Sequence, residues 1–233
     1  MINIDKLQII NPGDIASKLT ANPKNIIFWD TCGILDIINL VVNSTNDSFI
    51  KTLIKINEKI DDNEVVCFSS EIVITEIKDN FHEPYGQADK LINDTLKSYN
   101  KIMSFMVSLG LSGAYSEVIK NSVDFLPTLE RMIQKLLNNT FFIRDDQYLK
   151  LARDRVVFKI PPAGMKSEFK DCLIWETCIY LAKIRMNNEP VFFVSSNESD
   201  FGKNGSRMNE ITDECHDYKI DFVHKIYELY AKI

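Results

Sequence analysis

The sequence predicts an α/β fold in which a central parallel sheet is flanked by helices. Short runs of bulky apolar residues end abruptly at polar residues, and the first two runs are each followed by the apolar spacing of a helix. Strands that alternate with helices are typical of parallel sheets with right-handed crossovers. Ligands of such sheets bind beyond the carboxyl ends of the strands, so we expect the functional residues at that edge.

The first two predicted strands each lead into a helix. Ile26–Trp29 is bulky and partly β-branched, stops at Asp30-Thr31 and precedes a helical pattern that starts at Ile34. Val65–Phe68 stops at Ser69-Ser70, where we expect a serine to cap the apolar helix that follows. Both segments therefore predict a strand, a turn and a helix in that order.

Two further strands are predicted in the last third of the chain. The prolines of Ile160–Gly164 require a loop, and a new helix is expected to start near Asp171. Val191–Val194 is continuously apolar, as expected for a strand that is buried on both faces. A strand near Ile220–Val223 precedes a predicted closing helix over Lys225–Lys232.

A helical insertion is predicted in the middle of the chain. From about residue 87 to residue 140 the apolar spacing indicates two helical segments joined near Ser112-Gly113, which we interpret as an inserted helical hairpin. At 233 residues the chain lies within the range of one α/β domain with additional helices. We therefore expect a single domain over residues 1–233 rather than two.

Composition excludes several classes of protein. Hydrophobic residues make up 45% of the chain and charged residues 26%, which is typical of a globular protein. The first ten residues lack the basic start and apolar core of a secretory signal, and no apolar run approaches the length of a membrane span. Five cysteines without a CxxC pair indicate free thiols rather than a zinc knuckle or a disulfide framework. We expect a cytoplasmic protein with no membrane partner.

The charge distribution limits how a nucleic acid could bind. A net charge of −6 and a pI near 5.2 argue against binding through bulk electrostatics, so a nucleic-acid substrate would need a local basic patch. Residues 144–170 are a candidate, because they contain seven basic and four acidic residues, a net charge of +3. Charge runs of this kind more often form an ordinary solvated face.

Four carboxylates fall where the predicted strands end or where the following helices begin. Asp30 directly follows the first strand, and Glu76 lies about two turns into the helix after the second. Asp171 opens the helix after the proline loop, and Asp200 follows the third apolar strand. Asp30 and Asp171 also suit simple helix capping, but all four residues can converge on one cleft in this topology.

Converging carboxylates repel one another and destabilise a fold unless a cation lies among them. Magnesium and manganese suit this environment, because these ions prefer oxygen ligands and retain water molecules. Water bound to such a metal becomes a usable nucleophile towards phosphorus. The acidic pattern therefore predicts a Mg²⁺ or Mn²⁺ site and the hydrolysis of phosphodiester bonds.

Several segments resemble those of the PIN-domain nucleases, a family that includes bacterial toxin ribonucleases and RNA-processing endonucleases. The matching stretches, in chain order, are Phe28–Cys32 with Leu35, Ile72–Ile77, Lys170–Ile174, and Phe193–Asn197 ahead of Asp200-Phe201. The resemblance implies a Rossmann-like fold, one or two Mg²⁺ or Mn²⁺ ions and single-stranded RNA as the commonest substrate. It also implies that the ligands of the metal are Asp30, Glu76, Asp171 and Asp200.

The chain departs from a minimal domain of this family in two places. About 95 positions separate Glu76 from Asp171, so the helical middle is additional to the framework. Some relatives carry the fourth acid at the position of Asn197, so either Asn197 or Asp200 contacts the metal; we favour Asp200, with Asn197 as a neighbouring ligand or water-holder. Supporting residues in the cleft are expected to be Asn197, Thr31, Ser195 and Glu176, and the phosphate-binding residues Lys166 and Lys170.

The sequence thus favours a metal-dependent endoribonuclease, and two rivals remain. The first is a catalytically silent PIN-like module that binds RNA or a protein such as an antitoxin. The second is a phosphatase of the haloacid dehalogenase type, which requires a second aspartate two residues after Asp30, where this chain has Cys32. Homodimer formation is a further expectation from the resemblance.

Overall fold

The computed structural model describes residues 2–20, 25–44, 46–111, 124–163, 168–185, 190–203, 206–207 and 209–233. The strands are β1 Gln8–Ile10, β2 Asn25–Trp29, β3 Val65–Ser70, β4 Thr140–Ile143, β5 Val191–Val194, β6 Gly202–Lys203, β7 Ser206–Arg207 and β8 Ile220–Val223. The helices are α1 Ile15–Thr20, α2 Thr31–Asn43, α3 Ser48–Asp61, α4 Ile72–Asn80, α5 His82–Ser108, α6 Phe125–Asn138, α7 Leu149–Phe158, α8 Phe169–Ile184, α9 Glu198–Phe201 and α10 Asn209–Asp217. Short 3-10 helices cover Pro12–Asp14, Asp146–Tyr148 and Ile226–Ala231.

A six-stranded parallel sheet forms the centre of the described structure, in the order β1-β4-β3-β2-β5-β8. From β2 the chain proceeds to β3 and β4 on one side and then returns to β5 on the other side. The strand order therefore reverses between β2 and β5, and a crevice opens at the carboxyl ends of such a pair. The predicted α/β fold with a parallel sheet is confirmed.

The four predicted strands are present as β2, β3, β5 and β8, but the sequence pattern missed β1 and β4. β1 has three residues at the edge of the sheet, too few to show a period. β4 has four residues and is separated from α6 by the single residue Asn139, so the sequence pattern does not distinguish its short apolar run from the helix. The predicted closing helix is a 3-10 helix, Ile226–Ala231.

The serine cap predicted at Ser69-Ser70 is wrong, because both residues belong to β3. The hydroxyl of Ser69 donates to the backbone oxygen of Trp29 at 2.7 Å, across the β2–β3 pair. That of Ser70 donates to Asp145 at 2.9 Å. One buried hydroxyl therefore binds the neighbouring strand and the other binds the residue just beyond β4, and neither caps a helix directly.

The predicted helical insertion corresponds to α5 and α6. α5 begins at His82, earlier than predicted, and packs against α2 and α4, whereas α6 packs against α3. The predicted joint at Ser112-Gly113 lies outside the described residues. No helix of the described part of the chain is both long enough and apolar enough to cross a membrane.

An aromatic cluster fixes the elements that surround the crevice. Trp175 of α8 contacts Phe193 of β5 edge to face, with ring centroids 5.0 Å apart, and Phe201 of α9 at 5.6 Å. Phe222 of β8 completes the cluster. Aromatic pairs in this geometry add to the stabilisation from buried area alone. The cluster therefore holds α8 and α9 against the same part of the sheet.

Gly33 allows α2 to lie close to the end of β5. A Cβ atom at this position would lie 2.5 Å from the backbone oxygen of Val194, closer than side chains normally approach. The absence of a side chain thus brings the first turn of α2 against β5. Asp30, which caps that turn, is placed at the crevice as a result.

Candidate active site

Asp30 lies at the reversal of strand order and is almost fully buried. Its Oδ1 accepts a hydrogen bond from the backbone N–H of Thr31 at 2.7 Å, so it caps α2. Its Oδ2 accepts one from the hydroxyl of Ser195 at 2.5 Å, and its backbone N–H donates to Val194. These bonds fix the carboxylate between β2 and β5.

Glu76 reaches the same place from α4. Its Oε2 accepts a hydrogen bond from the hydroxyl of Thr31 at 2.5 Å, and its Oε1 lies 3.3 Å from the ammonium nitrogen of Lys170. Thr31 therefore connects the two acids, because its backbone N–H binds Asp30 and its hydroxyl binds Glu76. Lys170, at the start of α8, is the cation nearest to this carboxylate among the described contacts.

Asp171 and Asp200 are joined by one amide side chain. The Nδ2 group of Asn197 donates to Oδ1 of Asp171 at 3.1 Å and to Oδ2 of Asp200 at 2.9 Å. Its Oδ1 accepts from the backbone N–H of Asp200, so it also caps the short helix α9. Asn197 thereby lies between the two carboxylates that the sequence placed on separate segments.

The pKa values show that these acids share one environment. Burial, together with the negative charges of Asp30, Asp200 and Glu76, raises the pKa of Asp171 to about 8. Burial likewise raises the pKa of Asp30 to about 6, although the hydrogen bond from Ser195 opposes this, and the charge of Glu76 adds to it. The four carboxylates predicted from the sequence therefore interact electrostatically.

Three of the four acids line an open cleft of about 410 Å³. Asp30, Glu76 and Asp171 contribute carboxylates to its wall, together with polar groups from α2, α4 and the first turns of α5. Asp200 is buried and does not line this cleft; its contact with the other acids runs through Asn197. Of the two alternatives for the fourth position, Asn197 lies nearer to the cleft acids.

Several residues could hold a divalent cation here. Within the described ranges, no three His, Cys, Asp or Glu side chains already surround a single ion position. Magnesium needs only one or two carboxylates, because water molecules complete its coordination. Asp30 and Asp171 are carboxylates that are costly to ionise in this cleft, and a nearby cation would relieve that cost. The donor set fits a hard, partly hydrated ion.

The other predicted site residues have different placements. Thr31, Ser195 and Asn197 contact the acids directly. Lys166 lies outside the described residues, so its predicted phosphate contact has no structural counterpart here. Glu176, expected to support the cleft, binds Arg155 instead. Glu176 follows Asp171 by five residues and is on the side of α8 that faces α7.

Arg155 is the centre of a buried ionic cluster that the sequence pattern did not reveal. Its Nε donates to Glu176 and its Nη2 to Glu214, both at 2.5 Å, and its Nη1 donates to the carbonyl of Pro161. The indole N–H of Trp175 donates to the second oxygen of Glu214 at 2.6 Å. Arg155 thus ties α7 and the proline loop to α8 and α10. It does not belong to an exposed basic patch.

Asp145 is a second residue that sequence reasoning missed. It lies just beyond β4, and its Oδ2 accepts hydrogen bonds from the Ser70 hydroxyl and from the backbone N–H of Ile72, at 2.9 and 3.1 Å. It therefore holds the first turn of α4, the helix that carries Glu76. Asp30 was identified because it follows an apolar strand. The same criterion would have identified Asp145 if β4 had been recognised.

The raised pKa of Asp171 predicts a pH-dependent cost of folding. The folded-state pKa of about 8 is above the ordinary value of 3.8, so the folded protein binds more protons than the unfolded chain between these values. The contribution of this group to stability therefore falls as the pH rises through that window. We expect Asp171→Asn to be more stable than wild type at pH 8, by on the order of a few kcal/mol, and equal to it near pH 4.

Thermal melting in the presence of a chelator measures this difference. The melting temperature of Asp171→Asn minus that of wild type should increase steadily from pH 4 to pH 8. A difference that is independent of pH would contradict the electrostatic description of the cleft.

The comparison with protein families agrees with this geometry. A family model described as PIN domain matches residues 27–201, about three quarters of the chain. The matched range contains all four acids. No curated protein and no solved structure gives a significant match. The extent of the family match confirms the resemblance noted in the sequence, and the chain belongs to the PIN-domain family.

Proposed function

We propose that this protein is a Mg²⁺- or Mn²⁺-dependent endoribonuclease that hydrolyses phosphodiester bonds in single-stranded RNA. PIN domains are usually nucleases, and they generally use divalent metals. The observation that supports the proposal most is the position of Asp30, Glu76 and Asp171 on the wall of one cleft. Two of these acids have raised pKa values, as expected where a cation normally compensates their charge.

Asp30 and Asp171 are proposed to hold the cation. Their carboxylates come from two different elements, one from the end of β2 and one from the first turn of α8. Ser195 and Asn197 donate hydrogen bonds to these carboxylates, which fixes the orientation of the oxygens. Such an ion, when bound, makes a water molecule a usable nucleophile towards phosphorus.

Glu76 is proposed either to assist in binding the ion or to orient the attacking water. Its Oε2 is held by Thr31, while its Oε1 faces the ammonium group of Lys170. Asp200 is proposed to act through Asn197 because it is buried behind that amide. Asp200 then positions Asn197 and, through it, Asp171.

Lys170 is proposed to contact a phosphate of the substrate. It is exposed at the start of α8 and its ammonium group already lies at the edge of the cleft. A lysine at this position can exchange its contact with Glu76 for a phosphate oxygen when the strand binds. The carboxylates of the cleft then keep the divalent cation beside the phosphodiester.

The proposal is tested with end-labelled oligonucleotides and isothermal titration calorimetry. The wild-type protein is incubated with single-stranded RNA, single-stranded DNA and duplex RNA, in Mn²⁺ and in chelator. We expect internal cleavage of the single-stranded RNA in Mn²⁺ only, together with calorimetric binding of Mn²⁺ to the free protein. Absence of both cleavage and Mn²⁺ binding would overturn the proposal and favour a catalytically silent module that binds RNA or a protein.

A further inference from the structure

Exposed aromatic and basic side chains lie at the end of α7 and at the start of α8. Phe158, the last residue of α7, is 70% exposed, and Phe169, the first residue of α8, is 38% exposed. Lys159 and Lys170 are the next residues in the chain after each ring, and both are exposed. An aromatic side chain that is mostly exposed contributes little to the core, so the position of Phe158 invites a functional explanation.

The start of α8 borders the cleft, because the ammonium group of Lys170 contacts Glu76, and the packing of α7 on α8 places the end of α7 beside it. The rings of Tyr148 and Tyr180 lie 5.1 Å apart, and Arg155 contacts Glu176 further along. As the residue number increases along α7, the number of the contacting residue on α8 decreases, so the two helices run antiparallel. The end of α7 therefore lies beside the first turn of α8, which carries the cleft residue Asp171.

The turn after Phe158 is held firmly. Lys159 has a left-handed backbone conformation, with a φ of 54°, and its N–H bonds to the carbonyl of Val156. The N–H of Ile160 bonds to the carbonyl of Arg155, which completes a Schellman-type helix end. The guanidinium of Arg155 also holds the Pro161 carbonyl. Phe158 therefore projects from an anchored turn and not from a frayed helix end.

We propose that Phe158 and Phe169, with Lys159 and Lys170, form a binding surface for single-stranded nucleic acid. We call these four residues the aromatic platform. Unpaired bases stack on the two rings, and the lysines contact the flanking phosphates. The occupant is a nucleic acid because a lysine directly follows each exposed ring in the chain, so that a base can stack on the ring while the lysine contacts a phosphate.

The platform gives the proposed nuclease a reason to prefer single strands, and in this respect it rests on the proposed function. In a duplex, the faces of the bases are already stacked on one another and cannot cover the rings. In a single strand, each base can stack on an aromatic side chain regardless of its identity. The platform therefore selects strandedness and not sequence.

Fluorescence anisotropy in chelator tests this proposal without any dependence on cleavage. A labelled 12-nucleotide single-stranded RNA is titrated with wild type, Phe158→Ala and Phe158→Trp, and a duplex of the same length is the competitor. Loss of one stacked base should weaken binding of the single strand by Phe158→Ala about 5- to 100-fold. Phe158→Trp should bind as well as wild type, because it keeps a ring.

Phe105→Ala is the matched control. Phe105 is 56% exposed on α5 and also has a lysine near its ring, with Lys101 5.9 Å from the centroid. It lies about 27 Å along the helix from Gln87, the last residue of α5 on the cleft wall, at 1.5 Å per residue. Its removal should leave RNA binding unchanged.

The outcomes separate the platform from the proposed catalysis. Unchanged binding by Phe158→Ala, an equal loss in Phe105→Ala, or equal affinity of wild type for single strand and duplex would each overturn the platform. If Phe158→Ala loses RNA binding, Phe105→Ala does not, and the wild-type protein cleaves nothing in Mn²⁺, the platform is supported and the nuclease is refuted. If Phe158→Ala binds the RNA and cleaves it in Mn²⁺ as well as wild type does, the platform is refuted and the nuclease is supported.

Discussion

Asp30→Asn should reduce metal-dependent cleavage by at least about 100-fold, because residues that merely support a metal ligand already cost 10- to 100-fold when changed. The substitution removes one negative charge from the position between β2 and β5 and preserves the size of the side chain. The amide oxygen can still accept from the N–H of Thr31, and the hydroxyl of Ser195 can accept from the new amide. The fold is therefore expected to remain intact.

Initial cleavage rates in Mn²⁺ measure the effect, and melting temperatures with and without Mn²⁺ identify its cause. Mn²⁺ should raise the melting temperature of wild type and leave that of Asp30→Asn unchanged, since an ion that binds only the folded state stabilises it. The matched control is Asp221→Asn, on β8, which removes a carboxylate paired with Lys232 and should cleave normally. Unchanged Mn²⁺-dependent cleavage by Asp30→Asn would remove Asp30 from the mechanism.

The placement of Asp30 was predictable because every relevant signal is local. Its strand is a continuous apolar run, the run ends at the aspartate, and a helical pattern begins directly afterwards. In a parallel sheet such a position must lie at the carboxyl edge. The same reasoning located Val191–Val194 and hence the region of Asn197 and Asp200.

The arrangement of Asn197 and Asp200 was not predictable, since it depends on side-chain contacts across the crevice. Sequence order suggested that Asp200 reaches the metal and that Asn197 assists. In the structure Asn197 lies between Asp171 and Asp200, and only Asp171 of these two acids lines the cleft. Twenty-six positions separate Asp171 from Asn197, so no local pattern could encode their contact.

The role of Arg155 was misjudged for the same reason. Counting charges over residues 144–170 treats every arginine and lysine as exposed, whereas Arg155 is only 5% exposed. Its partner Glu214 is 59 positions away in the chain, on α10. A buried cation has the same sequence letter as a surface cation, and only its packing against acids distinguishes the two.

Arg155→Met should lower the free energy of unfolding by about 3–5 kcal/mol, because it leaves the buried Glu176 and the half-buried Glu214 without their cation. For a chain of this length, that loss corresponds to a fall in melting temperature of roughly 6–20 °C. Chemical and thermal unfolding measure the effect. Arg153→Met is the matched control: its side chain is 64% exposed and pairs only with the neighbouring Asp154 in the described contacts, so it should cost less than about 0.5 kcal/mol.

A triple variant distinguishes lost charge pairing from lost packing. Arg155→Met combined with Glu176→Gln and Glu214→Gln removes the two negative charges, one buried and one half-buried, that the single variant leaves uncompensated. Replacing a whole buried ionic cluster by neutral groups is often far less costly than removing one partner, so most of the lost stability should return. If Arg155→Met unfolds like wild type, the cluster contributes nothing to the fold. If the triple variant is no more stable than the single one, the loss comes from packing and from the released Pro161 carbonyl, and the cluster then acts mainly as the anchor of the loop before Asp171.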